Sequence, residues 1–138
     1  IVLVASYTDR LGIAVFGNSE GTRYLGLVLF PLGFVLMTWA ELSLDKHFSV
    51  YLKVQNDHKL VTDGPYRYIR HPRYLGIIVF FVGISLVYRS WLALIFVALL
   101  TVVVLRRIRK EEQLLHQVFG IKWESYVRKS WRFLPFVY

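Results

Sequence analysis

A chain of 138 residues is long enough for one domain, and the absence of cysteine excludes disulfides and thiolate metal sites. Hydrophobic residues make up 56% of it, above the usual range of a soluble domain. The net charge of +8, from 17 Lys and Arg against 9 Asp and Glu, flanks apolar runs rather than lining a polar surface, which argues against a nucleic-acid partner.

In chain order, Ile1 to Ala5 reads as the end of an earlier helix cut short, and it is too short and uncharged for a signal peptide. Ser6 to Arg23 is predicted as a polar loop with Gly12, Gly17, Asn18 and Gly21 as turn residues. Its apolar middle, Leu11 to Phe16, suits a membrane interface. Tyr24 to Ala40 is the first run without a charge, and Pro31 and Gly33 mark a kink of the kind membrane helices tolerate. Glu41 to Val54 is predicted to continue as a surface helix, broken by Gln55-Asn56-Asp57. Lys59 to Thr62 reads as a short extended piece and Asp63-Gly64-Pro65 as a turn. His71 precedes Pro72, which disfavours helical angles at His71 and suits the first turn of a helix at Pro72.

Tyr74 to Tyr88 and Trp91 to Leu105 are the second and third apolar runs, separated by Arg89-Ser90 and predicted to form a helical hairpin. At about 1.5 Å per residue each of the three runs covers roughly 22 to 26 Å. Aromatic and basic flanks extend such helices toward the roughly 30 Å of a bilayer core. No run shows the polar face of a soluble-bundle helix. Helix is expected to continue from Leu105 to Phe119, with Gly120 as its C-cap. A short helix follows over about Trp123 to Lys129, and Pro135 ends the ordered part. The expected fold is all-α: an integral membrane bundle of three spans (24–40, 74–88, 91–105), a truncated N-terminal helix and a cytoplasmic C-terminal helical extension. Residues 1–138 form one domain.

Basic residues concentrate in two segments. Residues 41–73 hold six and 106–138 hold eight, whereas 6–23 hold Arg10 and Arg23 and the hairpin turn holds Arg89. Basic loops stay in the cytoplasm, so the two basic segments are expected on that side, with 6–23 and Arg89 outside. The hairpin returns the chain to its starting face, so both basic segments meet there, against the headgroups of the lipid bilayer.

Two constellations carry chemistry. In the first, Arg70 and His71 at a helix mouth offer charge-assisted bonds to a carboxylate or phosphate, with Tyr66 and Tyr74 beside them to stack or to present hydroxyls. Arg67, Tyr68 and Arg73 read as interface anchors. In the second, Arg107, Glu111 and Leu115 share one helix face just beyond the third apolar run, and adjacent Glu111 and Glu112 can bind ribose hydroxyls or orient an arginine. The spacings of His47, His58 and His116 match no zinc pattern, so no metal site is expected. No glycine-rich nucleotide motif of a soluble domain is present.

The first block, His58-x-Leu60-Val61-x-x-Gly64-Pro65-Tyr66-x-x-x-Arg70-His71-Pro72-x-Tyr74-x-Gly76, resembles the isoprenylcysteine carboxyl methyltransferase family and its phospholipid methyltransferase relatives. A second block agrees: Arg107-Ile108-x-x-Glu111-Glu112-x-x-Leu115-x-x-x-Phe119-Gly120-x-x-Trp123-x-x-Tyr126, with Trp123 where the family more often has tyrosine. The resemblance implies an integral membrane methyltransferase using S-adenosyl-L-methionine, with a lipophilic or lipidated acceptor entering from the bilayer and a cofactor-binding region at about 58–76 and 105–138. Carried over, His58, Leu60, Gly64, Tyr66, His71, Tyr74 and Glu111 surround the cofactor. Arg70, Arg107 and Glu112 position the acceptor. A carboxylate acceptor is already nucleophilic and needs alignment and exclusion of water rather than a base. An amine acceptor, as in a phospholipid N-methyltransferase, needs a base, for which Glu112 is the candidate. Two other readings compete: an NADPH-dependent sterol or steroid reductase with a similar Arg-His-Pro segment, and a non-catalytic membrane protein keeping the fold.

Overall fold

A computed structural model of the chain describes residues 1–17, 20–51 and 60–133, with the side chains of all of these but 45–51. Its α-helices are α1 (Val2–Leu11), α2 (Glu20–Tyr51), α3 (Pro72–Val87), α4 (Trp91–Phe119) and α5 (Ile121–Val127), and a 3₁₀ turn spans Gly64–Arg67. Among the described residues the only β pairing is two isolated bridges, Val15 with Ser90 and Ile69 with Trp131. His58, Lys59, the Gln55-Asn56-Asp57 break and Pro135 lie outside the described residues.

Two helices, α2 over Glu20–Leu44 and α4, are long and apolar enough to cross a membrane, and α3 is a shorter apolar helix. Their most apolar windows are only 17% and 22% buried. The outer surfaces carry Leu25, Val28, Leu32 and Val35 on α2 and Ile95, Leu99 and Val103 on α4, all more than half exposed. The core helix of a soluble bundle hides such side chains; an apolar exterior this large needs an apolar surrounding.

The polar loop expected over Ser6 to Arg23 is mostly helix. Helix α1 continues to Leu11 because its hydroxyls bond inside the helix: Ser6 Oγ donates to Leu3 O, and Thr8 Oγ1 to Val4 O and Ala5 O. Gly12, at φ +65°, caps it. Glu20, favoured at a helix N-terminus, opens α2 four residues before the first apolar run. The end of α1 and residues 12–17 dock on the α3–α4 turn. Thr8 Oγ1 and Ser90 Oγ are hydrogen-bonded at 2.8 Å, Trp91 N donates to Ala14 O at 2.9 Å, and Asp9 holds Arg89 and Arg23 at 3.1 and 3.4 Å. Ser90 also caps α4, its Oγ accepting from Ala93 N.

Antiparallel α2 and α3 meet at unusually short range through glycines seven residues apart, Gly26 and Gly33 facing Gly83 and Gly76. A Cβ on Gly33 would stand 2.3 Å from Phe80 N, and one on Gly83 2.4 Å from Phe30 N. Fully buried Ala40 continues the seven-residue spacing on α2. Small residues at this period let helix backbones approach where no hydrophobic force from water drives them together. Helix α2 runs on through Pro31 without interruption and continues to Tyr51, as a helix over 41–54 predicts to that point. Helix α4 extends fourteen residues past Leu105 and stops at Gly120, whose φ of +51° turns the chain into α5. The far end of α4 therefore returns to the N-terminus of α3.

Candidate active site

The site lies where the segment 60–74 meets α4 and α5. Gly64 has φ +59°, and a Cβ there would stand 2.5 Å from Ser43 Oγ on α2, so the turn both requires and packs by glycine. This turn buries Pro65 and Tyr66. Tyr126 on α5 donates its hydroxyl to Tyr66 O at 2.7 Å. His71, at φ −126° and ψ 54°, lies outside the helical region and is the N-cap of α3, as the proline predicts.

The residues after α5 form a strap across this segment. Arg70 N donates to Trp131 O at 2.7 Å, and Trp131 N to Tyr68 O at 2.8 Å. The Arg70 side chain bonds the end of α5 and the same strap: its Nη1 donates to Val127 O at 3.2 Å and to Ser130 O.

The anion that Arg70 and His71 hold is internal. The Glu112 carboxylate accepts from Arg70 Nε and from His71 Nε2, both at 3.2 Å, and from Arg132 Nε at 3.1 Å and Nη2 at 2.5 Å. A carboxylate only accepts, so His71 carries its proton on Nε2. Burial opposes the charge on Glu112 and is the largest single influence. The hydrogen bonds from His71 and Arg132, and the charge of those two groups, overcome it and hold the carboxyl at about 2. Burial pushes the phenols the other way: Tyr126 rises to about 12, and Tyr66 lies well above its usual range. Both are protonated donors at neutral pH.

The Glu112 value sets a pH dependence. The unfolded glutamate, with the higher value of 4.5, binds more protons between pH 4.5 and 2 than the folded one. The resulting stability is complete above about 4.5 and is lost as pH falls through about 2, on the order of 3 kcal/mol in all. Thermal unfolding in detergent across this range is expected to show the unaltered protein and Glu112→Gln farthest apart above pH 5 and converging below it. Parallel curves would remove Glu112 as the titrating group.

A cavity of about 190 Å³ opens in front of Arg70 and His71. Leu44, Leu60, Val61, Leu115, Phe119 and Trp123 give it an apolar and aromatic wall; Arg70, Arg73 and Glu111 give it charge, His71 an imidazole, and Tyr66, Tyr74 and Tyr126 add phenols. Tyr74 donates its hydroxyl to Glu111 Oε2 at 3.0 Å. The Arg107 guanidinium lies 5.9 Å from the centre of the Tyr74 ring.

Of the residues singled out from sequence, Leu60, Tyr66, Arg70, His71, Tyr74 and Glu111 line one cavity. Gly64 packs on α2 instead, Arg107 covers Tyr74, and Glu112 stands behind Arg70 and His71 in a separate groove with Arg109, His116 and Arg132. His58 lies outside the described residues. Sequence reasoning missed Arg132 and Ser130, which hold Glu112 and Arg70; neither has a spacing that ties it to its partner.

The Phospholipid methyltransferase family model matches residues 22–122, which contain both blocks up to Gly120. The chain is similar to "Probable protein-S-isoprenylcysteine O-methyltransferase" of Oryza sativa subsp. indica, 33% identical over 117 residues, covering 83% of this chain and 61% of that protein. It is also 34% identical over 118 residues to "Protein-S-isoprenylcysteine O-methyltransferase B" of Arabidopsis thaliana, covering 81% and 58%. "Protein-S-isoprenylcysteine O-methyltransferase" of Saccharomyces cerevisiae is 34% identical over 131 residues, covering 91% and 55%. The chain thus spans somewhat over half the length of these relatives. The match over most of the chain, with the two polar blocks folded onto one cavity, establishes that it belongs to the phospholipid methyltransferase family.

Proposed function

We propose that this chain forms a single methyltransferase domain that moves a methyl group from S-adenosyl-L-methionine to the carboxylate of a lipophilic or lipidated acceptor at a membrane face. The observation that carries the reading is the cavity between segment 60–74 and α4–α5, where an aromatic wall meets both a carboxylate and arginines. These groups fit the cofactor's parts: Tyr66, Phe119 and Trp123 for a ring, Glu111 for ribose hydroxyls, and the helix mouth at His71 and Pro72 for an amino-acid carboxylate. At about 190 Å³ the cavity is smaller than the roughly 300 to 1,000 Å³ of a full ligand pocket; of the residues assigned to the cofactor, Gly64 packs on α2 and His58 lies outside the described residues. When bound, the cofactor supplies a methyl group on a positively charged sulfur.

The chain's own part is alignment and exclusion of water. Arg70 orients an anionic acceptor, Arg107 flanks it over Tyr74, and Glu112 fixes Arg70 from behind. The acceptor is read as a carboxylate because, among the described residues, Glu112, the candidate base, is a weak one. Glu112, at about 2 and bonded to three cationic or proton-donating side chains, is too weak a base for an amine. The names of the relatives agree with a lipidated acceptor.

The membrane arrangement in this reading has three spans, α2, α3 and the first half of α4. Helix α3, with 16 residues, is short, and Tyr88, its C-cap, gives it an interfacial flank. The cavity faces the cytoplasm, because all Lys and Arg but Arg10, Arg23 and Arg89 belong to the segments at that end.

Isothermal titration of the detergent-solubilised protein with S-adenosylhomocysteine is expected to give micromolar-range binding. Glu111→Ala is expected to weaken it about tenfold, the value of one charge-assisted bond. Binding of NADPH with no response to S-adenosylhomocysteine would replace this reading with the reductase one, and binding of neither would leave a non-catalytic membrane protein.

A further inference from the structure

Arg70 and Arg132 share one carboxylate. Arg70 reaches Glu112 Oε1 from the cavity, and Arg132 reaches both oxygens from the groove behind it. Two guanidinium charges against one carboxylate leave the cluster a net positive charge, whatever the state of His71. Arg70 also spends Nε on Glu112 and Nη1 on the strap carbonyls, and its Nη2 has no partner among the described contacts. A guanidinium edge with unspent charge on a cavity wall suits a carboxylate.

We propose that Arg132 is a positioning residue: by binding Glu112 from the groove side it keeps the charge of Arg70 available to an anionic group in the cavity. The nature of that anion, the acceptor carboxylate, rests on the methyltransferase reading; the charge arrangement does not. The strap places Arg132 in advance. Trp131 before it is bonded on both backbone groups to 68–70, and Phe133 after it is buried against Val104 and Ile108. Glu112 is faced by Arg70 and His71 from the start of α3 and by Arg132 from the strap, and Arg109 and His116 of α4 line the same groove. Without Arg132, Glu112 is left with Arg70 and His71, and its charge cancels that of the one remaining guanidinium.

The test uses the whole chain in detergent micelles with Arg132→Gln, Arg132→Lys and Arg128→Gln, the last removing an exposed charge from the same strap. Carbon-13 resonances of labelled glutamate carboxyls, with Glu112 assigned by its loss in Glu112→Gln, follow its titration without ligand. Arg132→Gln is expected to raise that titration by about one pH unit or more, Arg132→Lys by less, and Arg128→Gln not at all. With a prenylated cysteine as methyl acceptor, Arg132→Gln is expected to raise KM about tenfold with kcat nearly unchanged, and Arg132→Lys to recover part of it. An unmoved Glu112 titration in Arg132→Gln, or an equal KM effect from Arg128→Gln, overturns the proposal. If Arg132→Gln does not fold, Arg132→Lys decides: its titration and KM must both move in the stated directions. If the unaltered protein methylates no prenylated acid, the methyltransferase reading fails, and the ligand-free titration still decides the role of Arg132.

Discussion

Gly33→Leu is expected to abolish the folded protein, and Gly33→Ala to destabilise it by about 3 kcal/mol or more, at the upper end of core overpacking. The reason is which atoms the new Cβ meets. They are Phe80 N at 2.3 Å, Gly76 O at 2.7 Å and Phe80 Cα at 2.7 Å, all backbone. A side chain can turn aside from such an approach; a helix backbone moves only as a unit. Separating α2 from α3 at Gly33 also opens the contacts at Gly26 and Gly83 and displaces the N-terminus of α3, which carries His71. Size-exclusion profiles and thermal unfolding in detergent measure the loss. Val35→Leu, on the exposed face of the same helix, is expected to leave both unchanged. A Gly33→Ala variant as stable as the unaltered protein would show that close α2–α3 packing contributes little.

The helical hairpin, the helix start at Pro72, the break at Gly120 and the meeting of the two polar blocks were legible because each has a local cause: a charge-free run, a missing backbone N–H, a residue free to take positive φ, or a turn too short to do anything but reverse the chain. The N-terminal elements were not. Ser6 and Thr8 suggest a loop by type, yet their hydroxyls bond back into α1, and Thr8 is fixed by Ser90, 82 residues away. The seven-residue spacing from Gly26 through Gly33 to Ala40 is visible in the sequence, but what makes it an interface is its match to Gly76 and Gly83 across the long segment between α2 and α3. In the site, residue types suggested that Arg70 and His71 hold a ligand's anion. The anion they hold is Glu112, and the third partner is Arg132, twenty residues further on and carried there by the turn at Gly120. No periodicity joins these three, because an ion cluster built from a loop, a helix and a strap has no repeat.

Arg70→Ala is expected to cost more activity than any other single change in the cavity, with methyl transfer to a prenylated acid falling at least about a hundredfold, the scale of removing one preorganised electrostatic donor. Among the described residues Arg70 touches every part of the site: it lines the cavity, binds Glu112 and anchors the end of α5 and the strap through Val127 O and Ser130 O. Its loss removes the cation that the proposed reading sets against the acceptor and frees the strap that positions Arg132. The stability cost is expected to be smaller, about 2 kcal/mol, below the roughly 3–5 typical of a broken buried pair, because Glu112 keeps His71 and Arg132. The two effects separate in Arg70→Lys. An ammonium restores the charge but cannot bond a carboxylate and two carbonyls in one plane. It is expected to recover most of the stability and little of the activity. Thermal unfolding and initial rates on the same preparations measure both. If Arg70→Lys kept full activity, charge alone would suffice, and the fork geometry that binds Arg70 to Glu112 and the strap would have no part in the transfer.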